Sequence, residues 1–174
     1  MKTTLNVVLY QPEIPQNTGN IMRTCVGTNV ILHLIKPLGF SIDDKSLKRA
    51  GVNYIEHLKY FVYEDYEDFK SKNEGEYYYL TRYGNKPLSD TNFKEVYGNK
   101  NIYLIFGRES TGIPYDILRE NFDNCFRLPT NDLIRSLNLS NCVCVSVFEV
   151  LRQLDYPDLE KMEPNTLKGN HFIA

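Results

Sequence analysis

The sequence predicts an α/β protein with a mostly parallel sheet. Short runs rich in β-formers alternate with helical patterns along the whole chain. At 42% hydrophobic and 24% charged residues, the composition is that of a globular chain able to bury one core. No repeat, low-complexity segment or linker interrupts the 174 residues, which suits one domain, placed at 1–158, followed by a polar tail, 159–174.

Leu5 to Tyr10 reads as the first strand and runs into the loop QPEIPQNTGN. Asn17 or Thr18 is then expected to cap a helix reaching about Thr28, with Ile21, Met22, Cys25 and Val26 on its buried face. Ile31 to Ile35 is a second strand, stopped by Lys36-Pro37, and Asp43 or Asp44 opens a short basic helix ending at Gly51. A polar helix over about Glu64 to Lys72 leads to a strand over Tyr77 to Thr81. The clearest strand is Asn101 to Phe106, an apolar run that breaks into GRESTGIP, where Pro114 suits the first turn of another helix. Cys125 to Leu128 is a short strand. From about Asn138 to Leu154 runs a helix apolar almost all round, which calls for burial on several sides, including by a partner subunit.

Several function classes are disfavoured. No stretch approaches the roughly 18 apolar residues of a membrane span, and the short N-terminal apolar run lacks a signal-peptide cleavage site, so a cytoplasmic protein is expected. Cys25, Cys125, Cys142 and Cys144 show no C-x-x-C spacing, and on a helix Cys142 and Cys144 would lie about 200° apart. With His33, His57 and His171 scattered, no metal site is expected. A net charge of −2 and a pI near 5.9 argue against indiscriminate nucleic-acid binding but leave room for a local patch. The best basic group is Lys45, Lys48 and Arg49, with Lys36 nearby; taken alone, an ordinary solvated helix face is the better account of it.

Ligands of open α/β sheets bind beyond the carboxyl ends of strands. Three loops there carry unusual residues: Asn17 to Thr24, Phe106 to Pro114, and Arg127 to Asn141. None is a G-x-G-x-x-G, a P-loop or a nucleophile elbow. Each alone could be a capped turn. Together they offer arginine, a carboxylate, glycines and neutral hydrogen-bonding groups, a mixture suited to a neutral or cationic ligand such as a nucleoside bearing a sulfonium.

PEIPQNTGNIMRT, IFGRESTGIP and RLPT…RSLNLSNCVCV resemble, in order and separation, the three motifs of the SPOUT superfamily of RNA methyltransferases. LNVVLYQPEIPQNTGN and KPLGFSIDDKSLKRAG resemble its small TrmL/YibK type, which methylates the wobble ribose of certain tRNAs. The resemblance covers about nine-tenths of the chain. It implies a parallel α/β fold with a C-terminal deep trefoil knot, a homodimer packed through the knotted region and last helix, and S-adenosylmethionine as cofactor. Motif alignment places the cofactor contacts on Leu80, Gly107, Leu128 and Ser136, with Gly107 kept small to leave room for adenosine. It also points to Arg23, with Asn17, Glu109, Ser136 and Asn138, as the catalytic group, and to the anticodon stem-loop of tRNA as substrate. Because a guanidinium, with a pKa of roughly 12.5–13.8, is a poor base, Arg23 is read as a clamp on a phosphate and the developing alkoxide, with Glu109 holding Arg23 or sensing the sulfonium. Another RNA target, or a non-catalytic RNA-binding module, is the alternative. The second motif carries Thr111 where a basic residue is common, and the third reads TNDLIRS.

Overall fold

A computed structural model describes residues 3–42 and 55–169. Its strands are β1 (Leu5–Tyr10), β2 (Ile31–Ile35), β3 (Tyr60–Tyr63), β4 (Glu76–Leu80), β5 (Lys86–Pro87), β6 (Ile102–Phe106) and β7 (Cys125–Arg127). Its helices, numbered among the described residues, are α1 (Pro15–Gly27), α2 (Tyr66–Lys72), α3 (Phe93–Val96), α4 (Tyr115–Glu120) and α5 (Leu139–Gln153). All seven strands pair in parallel, in the order β3-β2-β1-β6-β4-β7-β5. The basic helix expected between Asp43 and Gly51, and with it Lys45, Lys48 and Arg49, lies outside the described residues.

Period-two alternation along the strands sorts the core into two layers. Leu5, Val7 and Leu9 of β1, Leu32 and Leu34 of β2, and Leu104 and Phe106 of β6 join Ile21, Met22 and Cys25 of α1 and Val143, Val147 and Val150 of α5 on one face. Val8, Ile35, Tyr79, Tyr103 and Ile105 point to the other face, where they meet Tyr66 and Phe69 of α2 and Ile117 and Leu118 of α4. α5 buries Val143, Ser146, Val147, Val150 and Leu151 but leaves Val145 and Phe148 about half exposed in the single chain.

The last strand is not the last in the sheet. β7 lies between β4 and β5, which are neighbours in sequence, so the connection 81–85 must straddle it. The straddle is tight. Thr81 N–H donates to the Phe126 carbonyl at 2.9 Å, and a Cβ on Gly84 would meet the Phe126 carbonyl carbon at 2.3 Å. Only glycine lets the connection pass so close to β7.

His33 of β2 sits in the aromatic layer, 2% exposed. The Asn6 amide nitrogen donates to the carbonyls of Thr4 (3.1 Å) and Ile102 (3.0 Å), so its Oδ1 is what faces His33 Nε2 at 3.1 Å. Nε2 therefore carries the proton, and Nδ1 faces the Tyr63 hydroxyl at 2.9 Å, whose one proton is shared with Asn73 Oδ1 at 3.3 Å. Both nitrogens have partners in the neutral ring, and burial pushes the pKa down to about 4. The unfolded chain takes up this proton near pH 6.5, the folded protein only near 4, so stability is lost as pH falls across that window, by roughly 3 kcal/mol at pH 4. Urea unfolding at pH 7 and pH 4 checks this. That share of the loss vanishes in His33→Gln, and an unchanged pH dependence in the variant would refute the assignment.

Candidate active site

The carboxyl ends of β4, β6 and β7 open into a cavity of about 950 Å³. Its wall comes from three segments far apart in sequence, 80–83, 106–115 and 127–139, with Ile14 just before α1, Asn17 of α1 and Cys142 of α5 closing one side. Two of these segments, 106–115 and 127–139, fall in loops singled out in the sequence; of the remaining loop, Asn17 to Thr24, only Asn17 reaches the wall, and 80–83 takes its place. All lie where the α/β rule places a ligand.

The first two loops brace each other through reciprocal carboxylates. Glu109 Oε2 accepts from Glu13 N–H at 2.8 Å, and its Oε1 accepts from Ile14 N–H at 3.2 Å and from Asn17 Nδ2 at 3.1 Å. In return, Glu13 accepts from the N–H and hydroxyl of Ser110, at 2.9 and 2.8 Å. The donated hydroxyl and then the N–H hold the Glu13 carboxyl below its usual range. α1 begins at Pro15, earlier than the expected cap at Asn17 or Thr18, and its N-cap residue Ile14 has no capping side chain. Glu109 instead takes the N–H groups of Glu13 and Ile14 just ahead of the first turn, where a carboxylate also complements the positive end of the helix dipole. Asn17, freed from capping, turns inward: its Oδ1 accepts from Asn138 Nδ2 at 3.0 Å. Asn138 caps α5, its Oδ1 accepting from Ser140 N–H at 2.9 Å and from the Ser140 hydroxyl at 2.7 Å. Glu109, Asn17 and Asn138 thus form one chain of hydrogen bonds linking all three loops.

The middle loop closes on itself. Arg108 and Gly112 exchange backbone hydrogen bonds of 3.2 and 2.9 Å, and Gly112 sits at φ +74°. A Cβ on Gly107 would lie 2.1 Å from the Gly112 carbonyl carbon and 2.2 Å from Ile113 N. The turn itself therefore requires glycine at 107, a different reason from the expected one of leaving space for adenosine. Arg108 is held away from the turn by Gln11 Oε1 and lies over the Tyr10 ring, 5.5 Å from its centroid.

Leu80, Gly107, Leu128, Ser136, Asn17, Glu109 and Asn138 all line the cavity. Arg23 does not. It belongs to an exposed stripe of α1 with Gln16, Asn20 and Gly27, spaced at helical periods. Glu109 is engaged with the start of α1 instead of the partner expected for it. Sequence reasoning missed Glu13, whose role shows only once Ser110 is brought beside it. Arg127, named only as the start of the third loop and given no role, lines the cavity at the end of β7 with its Nε buried and without a hydrogen-bond partner among the described residues. No cluster of three His, Cys, Asp or Glu side chains suited to a metal occurs among the described residues, and no helix there is long and apolar enough to cross a membrane.

A wholly parallel sheet, a last strand tucked under an earlier connection, and a cavity of three loops at that crossing define an α/β fold of a particular class. The chain belongs to the SpoU rRNA methylase family, whose family model matches residues 4–148. A solved structure from Bacillus anthracis superposes with a TM-score of 0.85 at 51% identity, covering 90% of this chain and 98% of that one. The structure described as giving "insights into the 2-OH methylation of C/U34 on tRNA" matches with a TM-score of 0.79 at 36% identity, over 88% of this chain and 97% of that one. A relative from Escherichia coli (strain K12), named tRNA (cytidine(34)-2′-O)-methyltransferase, is 43% identical over 155 residues, 88% of this chain and 96% of its own length. The SPOUT-type parallel α/β fold implied by the motifs is thereby borne out.

Proposed function

We propose that this protein transfers a methyl group from S-adenosylmethionine to the ribose 2′-OH of the wobble nucleotide, cytidine or modified uridine, of tRNA. The reading rests on one observation above others. Relatives named for this reaction match 88% of the chain, and loops far apart in this sequence converge on one cavity. The reading includes action in the cytoplasm, a single domain over 1–158, a knotted C-terminal part and a homodimer. The straddled β7 supports the knot, and the half-exposed Val145 and Phe148 of α5 support the dimer.

The residues present fit the cofactor. Ligand pockets run from about 300 to 1,000 Å³, so this cavity has room for a cofactor and a nucleotide together. Leu80, Gly107 and Leu128 offer backbone groups to a nucleoside, and the unpartnered Arg127 Nε offers a donor to a carboxylate or hydroxyl. The cofactor supplies an electrophilic methyl on a cationic sulfur, so no further activation of the donor is required.

The chain's own work is to place and activate the ribose. A 2′-OH is a very weak acid, and its proton must be taken up or its developing charge neutralised. Arg23 clamps the adjoining phosphate and the developing alkoxide through its planar fork of donors, and the clamped phosphate accepts the 2′-OH proton. Glu109 fixes α1, which carries Arg23. Asn17 and Asn138 lock the first and third loops together, and Ser136 shapes the segment around the methionine end. Because Arg23 is outside the cavity of its own chain, it serves the cavity of the partner subunit. The test is transfer of labelled methyl to tRNA lacking the wobble methyl, with the product located by nucleotide mapping. Label on the wobble 2′-O is expected. Label on another RNA would move the substrate, and absence of cofactor binding would reject the reading.

A further inference from the structure

The mouth of the cavity carries a group of side chains that the reaction as described leaves unused. Tyr83, on the connection that straddles β7, and Tyr115, at the start of α4, are 45% and 55% exposed. Their rings meet edge to face, 5.6 Å between centroids at 72°, with the hydroxyls 3.1 Å apart. The Arg82 guanidinium lies over the Tyr83 ring, 4.6 Å from its centroid, and also donates to the Tyr83 hydroxyl. Arg135, from the third loop, is within electrostatic reach of both tyrosines. All four residues line the cavity. Two large aromatic rings do not stay half exposed beside two guanidinium groups for the sake of the core, since neither belongs to a buried cluster.

We infer that Tyr83, Tyr115, Arg82 and Arg135 form the platform that grips the RNA strand next to the methylated nucleotide, the rings stacking a base and the arginines facing its phosphates. This rests on the function proposed above and names the part of the protein that holds its substrate. Charge decides between the two ligands the cavity could present to this rim. S-adenosylmethionine carries a sulfonium, an ammonium and one carboxylate, a net positive charge that two guanidinium groups repel. RNA brings a negative phosphate with every nucleotide and an exposed face on every unpaired base. Stacking on tyrosine with flanking arginine is the chemistry by which single-stranded nucleic acid is held. The chain as a whole is acidic, with net charge −2, so a local basic and aromatic site is how it would hold a polyanion. Tyr83 lies two residues beyond Thr81, which is fixed to β7 by its 2.9 Å hydrogen bond to Phe126, so the platform has a rigid base.

The experiment is steady-state methyl transfer with an anticodon stem-loop RNA and with S-adenosylmethionine, each varied separately, for wild type, Tyr83→Ala, Tyr83→Phe, Tyr115→Ala and Arg82→Gln. Each alanine variant is expected to raise the KM for RNA about tenfold while moving kcat and the cofactor KM by less than about twofold. Tyr83→Phe keeps a stacking ring and stays close to wild type, which separates lost stacking from lost folding. Arg82→Gln is expected to reduce the slope of log KM against log salt by roughly 0.7, the share of one phosphate on a single strand. An unchanged RNA KM in both alanine variants, or a rise confined to the cofactor KM, overturns the platform. Should wild type fail to methylate the stem-loop, the parent reading fails instead. The platform is then judged by fluorescence anisotropy with the same RNA, where equal affinity of wild type and Tyr83→Ala overturns it and weaker binding by the variant supports it.

Discussion

Replacing Arg23 with alanine is expected to lower kcat for methyl transfer to tRNA by about a hundredfold or more, the usual cost of removing a donor aimed at developing negative charge. Cofactor affinity is expected to stay near wild type, because Arg23 is not part of the cavity wall. Arg23→Lys restores the charge without the two-pronged geometry and is expected to recover little. The placement of Arg23 on the outer stripe of α1 adds a sharper expectation. Mixing inactive Arg23→Ala with inactive Asn138→Ala subunits, unfolded and refolded together, creates mixed dimers in which one of the two sites is intact if Arg23 acts across the interface. About a quarter of wild-type activity would return on statistical mixing. No recovery would place Arg23 and the cavity it serves in the same chain, and near-normal turnover of Arg23→Lys would sink the clamp.

Gly107→Ala is expected to be the most damaging of the glycine-to-alanine changes at Gly27, Gly39, Gly75, Gly84, Gly98, Gly107, Gly112 and Gly169. The added carbon would lie within 2.2 Å of two backbone atoms of the facing strand of the turn, Gly112 C and Ile113 N, which no side-chain rotation can relieve. The turn would have to open, breaking the paired Arg108–Gly112 hydrogen bonds and displacing Glu109 from the start of α1. A stability loss of about 3 kcal/mol, read from urea unfolding, is expected together with loss of S-adenosylmethionine binding by calorimetry. Gly27→Ala is the control. A Cβ there meets nothing within 4 Å, so its stability change is expected within about 1 kcal/mol of zero and favourable in sign. Unchanged cofactor binding in Gly107→Ala would show that the turn tolerates opening.

The central strands were legible because their signal is local. β1 and β2 fall at the expected residues, and β4, β6 and β7 within one residue at either end. The α5 boundaries follow from its Asn138 cap and apolar pattern. β3 and β5 were not anticipated. β3 is a four-residue edge strand with Tyr60 and Phe61 exposed, so it lacks the alternation that marks a half-buried strand. β5 is two residues long and contains Pro87, which argues against a strand on sequence grounds. The motifs pointed to residues that line the cavity, with Arg23 the exception, but the wiring among them was not legible. Asn17 has the chemistry of a helix cap, but α1 starts two residues earlier, at Pro15, and the Asn17 side chain donates instead to Glu109, 92 positions away. Glu13 and Ser110 show nothing in common until the fold sets them 2.8 Å apart. Tyr83 and Tyr115, separated by 32 positions, become a pair only at the cavity mouth.

The insertion of β7 beneath the 81–85 connection also dictates when the cavity can exist. β4 and β5 cannot close up against each other, because the gap between them is reserved for a strand synthesised some forty residues later. The bond between Asn17 and Asn138 spans 121 positions and can form only after that strand is seated. Closing loops of such length is entropically slow, so the step that builds the site falls late on the folding path. Any partly folded form that lacks β7 lacks the cavity altogether. A small molecule bound there consequently favours the finished chain over every species before it, by about 2.7 kcal/mol at a hundred times its dissociation constant. In a cell that keeps its methyl donor abundant, the same molecule would hold the last-placed strand in its slot.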